Sequence, residues 1–279
     1  MNSCTRPTSG TGISIGWAKC CVPACFCLGL VLSILLWSPP QVCAMTAQEI
    51  LEQVAKQNFR ESFRESLTVK TSKGKKTVSD HTLWLMARTK KDKTEFFVDF
   101  EAPPESKGLR FLFLLSPDKA PQSFMYLPAT GKTVPLAMEE SSVDLGGTGL
   151  SLEDIQGFMP ERGEIATLVK EEKVEGRDCY VIRVDLPDGK GQRDLWVGKN
   201  GFVVVKSQYV DAKGQVKRTF RVVEFFRTEK GTEFPREEEI TVPDKDLRIR
   251  VRQENAVFGI ELPGEVMDPK TFGTYHWRG

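Results

Sequence analysis

Histidine is nearly absent: the 279 residues contain two, His81 and His276, far apart and without neighbours at metal-ligand spacing. A structural zinc site needs about four ligands and a catalytic one about three, so neither histidine marks a metal centre. Cysteine is scarce where it would count. Six of the seven, Cys4, Cys20, Cys21, Cys25, Cys27 and Cys43, fall in the first 44 residues, which leaves Cys179 alone in the rest. One thiol cannot close an internal disulfide, and Cys179 opens the alternating run CYVIRV, where a small core residue is expected. An excess of positive charge is missing too: 39 basic residues face 38 acidic ones. Nucleic acid is therefore excluded as the main partner.

No catalytic constellation stands out either. Gly146-Gly147-Thr148-Gly149 lacks the Lys-Ser/Thr that completes a phosphate loop, and reads as a flexible turn. Glu139-Glu140 and Glu237-Glu238-Glu239 stand in charged stretches and read as solvated, with nothing to pair them as acid and base. The expectation is a protein that is not an enzyme and holds no metal or cofactor.

Long hydrophobic runs are also lacking. The longest, Leu28 to Trp37, is about half of the ~20 residues a membrane-spanning helix needs. It follows Arg6 and Lys19 without an intervening acid and precedes Ser38-Pro39-Pro40 and Val42-Cys43-Ala44. That order predicts a secretory signal peptide over residues 1–44, cleaved before Met45. Residues 45–279 then form one expected domain with a formal charge of −1, since Arg6 and Lys19 leave with the leader while all 38 acids stay.

What the remaining chain does have is period-two patterning. Thr46-Ala47-Gln48-Glu49 fits a capping box, and Ile50, Leu51, Val54 and Ala55 follow at helical spacing, predicting an amphipathic helix to about Asn58. From Phe63 onward, short apolar runs alternate with turn residues, Asn200-Gly201 being the best hairpin signal, so a long antiparallel meander is expected. Leu150 to Gly157 is the one later helical stretch, with Ser151 as its N-cap.

The strands differ in their faces. In DLRIRVRQ, Leu247, Ile249 and Val251 alternate with Arg248, Arg250 and Arg252, which predicts a half-wetted strand at an exposed edge of the sheet. In the first half, LWLMA, FFVDF, LRFLFLL and FMYL are apolar on both faces. Met125 and Leu127 share one face and Phe124 and Tyr126 the other, so one pair should enter the core and the other meet a helix or a ligand. Trp84, Met86, Phe97, Phe111, Phe113, Met125 and Leu127 are the candidate ligand-binding wall, and Ile50, Leu51 and Val54 the candidate helix plug.

A helix followed by an all-β chain that carries SFMYLPATGKTVPL and then GGTGLSLEDI resembles the LolA-like outer-membrane lipoprotein-sorting family, in its larger uncharacterised branch. Tyr126, Leu127, Pro128, Gly131, Lys132, Ser151, Glu153, Asp154 and Ile155 carry the resemblance, with Lys107-Gly108, Phe111-Leu112 and the run Tyr209 to Phe225. Thr133-Val134-Pro135 replaces the family's basic pair, and Gly149-Leu150 its acid-aromatic pair. The resemblance implies a mainly β fold, a curved antiparallel incomplete β-barrel whose concave face is plugged by short helices. It also implies a monomeric periplasmic carrier of lipids or lipidated proteins, with an inner-membrane transporter and an outer-membrane acceptor as partners. The alternative is an envelope protein-interaction module on the same fold, a stress-sensor or transporter-accessory domain.

Overall fold

The structure, a computed structural model, describes residues 45–58, 61–90, 93–116, 119–136, 144–155, 164–228, 231 and 233–276; the expected signal peptide lies outside them. The chain opens with helix α1 (Ala47–Asn58), whose capping box forms as its sequence dictates. The Thr46 amide donates to Glu49 Oε2 at 2.7 Å, and the Glu49 amide donates to Thr46 Oγ1 at 3.2 Å. The Thr46 amide, and the Thr46 hydroxyl that donates to the same oxygen at 3.0 Å, hold the Glu49 carboxyl below its ordinary range. Ile50, Leu51 and Val54 are buried on one stripe of the helix.

Strands β1 (Phe63–Lys73), β2 (Lys76–Lys90), β3 (Lys93–Ala102), β4 (Arg110–Ser116), β5 (Lys119–Leu127) and β6 (Lys132–Leu136) follow as one meander. A short helix α2 (Leu152–Ile155) precedes a second meander: β7 (Ile165–Val174), β8 (Arg177–Asp185), β9 (Gly191–Gly198), β10 (Val204–Asp211), β11 (Val216–Arg227), β12 (Glu233–Val242) and β13 (Leu247–Phe258). All thirteen strands make one antiparallel sheet in the order β6-β5-β4-β3-β2-β1-β13-β12-β11-β10-β9-β8-β7. The chain thus starts mid-sheet, walks to one edge, crosses over, and returns from the other edge to lie beside its own first strand.

β13 is therefore central, flanked by β1 and β12, and the expected exposed edge is corrected. Its arginines are wet because they face outward, and they are paired: Arg252 meets Glu237 at 2.8 Å and Arg250 meets Glu239 at 3.4 Å, each with its register partner on β12. Charge here ties two neighbouring strands together on the outer face.

Laid flat, thirteen strands at about 4.8 Å spacing would span roughly 58 Å, while α1 is about 18 Å long. Yet one hydrophobic cluster joins α1 to β1 through β4 and to β8 through β13. The sheet is curved around its helices and stays open, a mainly β half-barrel with few helices, as the sequence led us to expect.

The segment from Asp144 to Ser151 crosses the concave face, and the flexible turn expected there is corrected. Leu145, Thr148 and Leu150 are buried. The Thr148 hydroxyl donates to the Leu145 carbonyl at 2.7 Å, the Gly149 amide donates to Asp144 Oδ1 at 2.7 Å, and the Thr71 hydroxyl donates to the Thr148 carbonyl. Gly146, at φ +62°, lies so close to Phe100 that a Cβ would come within 2.7 Å of the ring. Glycine is needed at this position both for its backbone and for its missing side chain.

The second face of the greasy first-half strands is covered by the C-terminal segment, residues 259–276, which folds over the outer side. Leu262, Val266, Met267 and Phe272 pack there against Met86, Phe97 and Leu112, with Phe124 and Tyr126 at the margin. Arg88 donates to the Leu262 carbonyl at 2.8 Å, and Arg110 to the carbonyls of Gly273 and Tyr275 at 2.8 and 2.7 Å. Between Met125 and Tyr126, then, the strand changes partner: Met125 joins the concave cluster and Tyr126 meets the tail.

Candidate ligand-binding site

The seven wall candidates do not form one wall. Phe111 and Phe113 stack in the concave core, centroids 6.2 Å apart, and Met125 packs with them. Met86 and Phe97 lie on the opposite face, under the C-terminal segment. Trp84 shares the strand face of Met86 and lies beneath the Arg64 guanidinium, 4.8 Å from its ring centroid. Leu127 is half-buried at the end of β5. The split follows from register: Met86 pairs with Phe97 and Phe97 with Leu112, which puts those side chains on one face and Phe96, Phe111 and Phe113 on the other. Ile50, Leu51 and Val54 of α1 belong to the same cluster as Phe111 and Phe113 and pack in the first-half concavity.

Free space lies instead over the middle of the sheet. A cavity of about 140 Å³ opens there, lined by Leu67 and Leu85 of the first meander, Val204, Phe220, Ile240 and Val251 of the second, and Leu150 and Ile155 at the α2 end. None of the seven wall candidates, and none of the three plug residues, lines it; α1 contributes Asn58. An apolar cavity of about 150 Å³ holds a benzene-sized guest, so this one accommodates the end of an acyl chain in its closed form.

Its rim is latched. Arg218 of β11 donates from Nε to Asp154 Oδ1 at 2.9 Å and from Nη2 to the Gly149 carbonyl at 3.2 Å, tying α2 and the crossing segment to the second meander. Asp154 is also bound locally: the Ser151 amide and hydroxyl donate to its Oδ2 at 2.6 and 2.9 Å.

Two carboxyls missed as site residues line the same cavity, Glu65 and Glu238. Glu65 is 5% exposed and lies in regular β1 opposite a bulge in β13, where Arg64 pairs with Val257 and Ser66 with Glu254 and Asn255 takes a φ of +51°. Ordinary alternation with Phe63, Leu67 and Val69 turns it inward, beside its register partner Leu85 on the concave face. Gln253, with its amide nitrogen turned toward them, lies 2.6 Å from the Pro235 carbonyl oxygen and 3.3 Å from Glu65 Oε2. Burial, reinforced by Glu238, pushes the Glu65 carboxyl up to about 8. Burial, reinforced by Asp154, pushes Glu238 up to about 7.

Reading Glu237, Glu238 and Glu239 alike as solvated is corrected for two of them: strand alternation turns Glu238 inward to the cavity, and Glu239, 8% exposed, is buried among Arg221, Arg248 and Arg250 on the other face. The signal was present as parity. Glu65 falls in step with Phe63, Leu67 and Val69, and Glu238 with Ile240, so each acid interrupts an apolar face. Cys179 is buried with Val181, Trp196 and Val205, as expected of a small core residue, and burial pushes its thiol up, away from nucleophilic use.

The architecture and interior cavity define a class, the open antiparallel half-barrels with helices on the concave side. The chain belongs to a family whose model, described as an uncharacterized protein, matches residues 92–272. Among solved structures, a DUF1329 family protein from Desulfovibrio piger shares 16% identity and a TM-score of 0.70, over 80% of this chain and 97% of that one. An outer membrane lipoprotein-sorting protein domain from Vibrio parahaemolyticus shares 17% identity and a TM-score of 0.70, over 81% and 99%. A LolA superfamily protein from Nitrosomonas europaea shares 16% identity and a TM-score of 0.63, over 81% and 98%. At such identities the likeness is one of fold. No curated protein matches the chain. No helix among the described residues is long and apolar enough to cross a membrane.

Proposed function

We propose that this protein is an exported, periplasmic carrier that shields the apolar chain of a lipid or lipidated protein in the cavity beneath α2. The observation that carries this is the cavity itself, walled by Leu67, Leu85, Phe220, Ile240 and Val251 on the concave face of the half-barrel. Binding depends on burial: each methylene taken out of water contributes about 0.8 kcal/mol, so a long chain binds without specific polar contacts. The closed cavity is smaller than the ~300 Å³ at which drug-sized pockets begin, and a full chain enters only when the cover moves. Release of Arg218 from Asp154 and the Gly149 carbonyl is the movement that opens the rim.

The test is titration of the purified protein with N-phenyl-1-naphthylamine, a neutral apolar fluorophore, against an Ile155→Trp variant. Ile155 is partly buried at the α2 end, so a larger ring has room to fill the cavity without displacing core strands. The variant is expected to keep its circular dichroism spectrum and bind the probe at least tenfold more weakly. Unchanged probe binding by a folded Ile155→Trp protein would remove the cavity from the account.

A further inference from the structure

An apolar chain needs no carboxyl at the bottom of its cavity, and this cavity has two. Glu65 is 95% buried, that is 5% exposed, on the inward face of β1, and Glu238 lines the same space from the other side of β13. Neither has a positive charge acting on it among the described residues: Glu65 feels Glu238, and Glu238 feels Asp154. The neighbouring guanidinium, Arg218, is already committed to Asp154 and the Gly149 carbonyl. Around them α1 brings Asn58, β2 Leu85, β10 Val204 with Val203 just before it, and β13 Val251 and Gln253, none of them charged. Buried carboxyls without a counter-ion cost stability, whereas glutamine in their place would not ionise. An ionisable pair held in a pocket against that cost points to a ligand.

We propose that the cavity holds the ammonium end of a cationic amphiphile, a primary amine on an apolar chain, with Glu65 and Glu238 as its counter-charges. The assignment rests on the carrier function proposed above and narrows it. Two carboxylates facing one small apolar space repel a fatty-acid carboxylate or a phosphate, accept a neutral chain on burial alone, and gain most from a cation. Without ligand, both groups are largely protonated in mildly acidic solution, since burial raises them to about 8 and about 7. An aliphatic ammonium stays charged there, titrating near 10. Its entry displaces protons from the carboxyls to solvent, so its affinity rises with pH from 6 to 8 while that of a neutral chain does not.

Three probes of equal chain length, dodecylamine, dodecanol and dodecanoate, separate the possibilities when each competes with N-phenyl-1-naphthylamine on the purified protein. At pH 8 dodecylamine is expected to displace the probe at a concentration at least tenfold below that of dodecanol, with dodecanoate weakest, and the advantage should shrink at pH 6. In Glu65→Gln/Glu238→Gln the amine should fall to the level of dodecanol, with dodecanol itself unchanged, which also reports that the variant is folded. If dodecanol displaces the probe as well as dodecylamine in wild type, or if the preference survives in the double variant, the ammonium site is overturned and the carrier stands. If neither displaces it, both are overturned. The wild-type comparison decides the matter even if the double variant fails to fold.

Discussion

Glu238 and Glu239 are neighbours in sequence with opposite electrostatics. Burial raises Glu238 to about 7 because no cation reaches it. Burial also raises Glu239, but the Arg221 hydrogen bond with the charges of Arg221, Arg248 and Arg250 outweighs it and holds that carboxyl below its ordinary range. The linkage signs are therefore opposite. Glu239 contributes stability above the ordinary carboxylate range that is lost on acidification. Glu65 and Glu238 contribute stability that is complete below about 4.5 and lost as pH climbs through about 7 and about 8. Each raised group lowers stability by up to about 1.4 kcal/mol per pH unit across its window. The urea midpoint of the wild type is expected to fall between pH 5.5 and 8, and that of Glu65→Gln/Glu238→Gln to fall much less. Equal slopes would mean that the two carboxyls ionise in the cavity unhindered. The inward turn of both was readable from parity, Glu238 with Ile240 and Glu65 with Phe63, Leu67 and Val69, but that they face one another across β13 depends on long-range pairing.

The C-terminal segment is the element on which the outer face depends. Phe272 is fully buried, its ring edge-on to Phe97 with centroids 6.3 Å apart, and Gly273 lies so close to Tyr126 that a Cβ would come within 2.3 Å of the ring. Phe272→Ala is expected to cost about 3–5 kcal/mol, measured by urea unfolding, as for other large buried aromatics. It should also expose Met86, Phe97 and Leu112 to an apolar dye while leaving probe binding in the concave cavity intact. Loss of both together would mean that the two faces are coupled. Among the elements, α1 was readable to the residue, because a capping box and a 3.6-residue stripe are local signals. The tail was not: Ile260, Leu262, Val266, Met267 and Phe272 follow neither period, so a cover made of irregular chain leaves its apolar residues without a pattern.

At the scale of the molecule, the sheet closes its middle by joining the first strand to the last, Val69 opposite Val251. That pairing spans nearly the whole described chain, and alternation within each strand carries no record of it. The mainly β class and the half-barrel were readable from strand patterning and family resemblance. The central place of β13 and the cavity over β1, β13 and β12 were not, since they arise from long-range register. The seven wall residues do not meet in one space for the same reason: doubled greasiness in the first meander reflects two covers, α1 inside and the tail outside, and the cavity lies where acids interrupt the apolar faces. The central claim is that this space is occupied in the cell by an amphiphile. Organic extraction of the protein purified without detergent, followed by mass spectrometry beside the folded Ile155→Trp variant, tests it directly. An amphiphile released in near-stoichiometric amount from the wild type and depleted from the variant is the predicted result; equal traces from both, with no binding of the apolar probe, would contradict it.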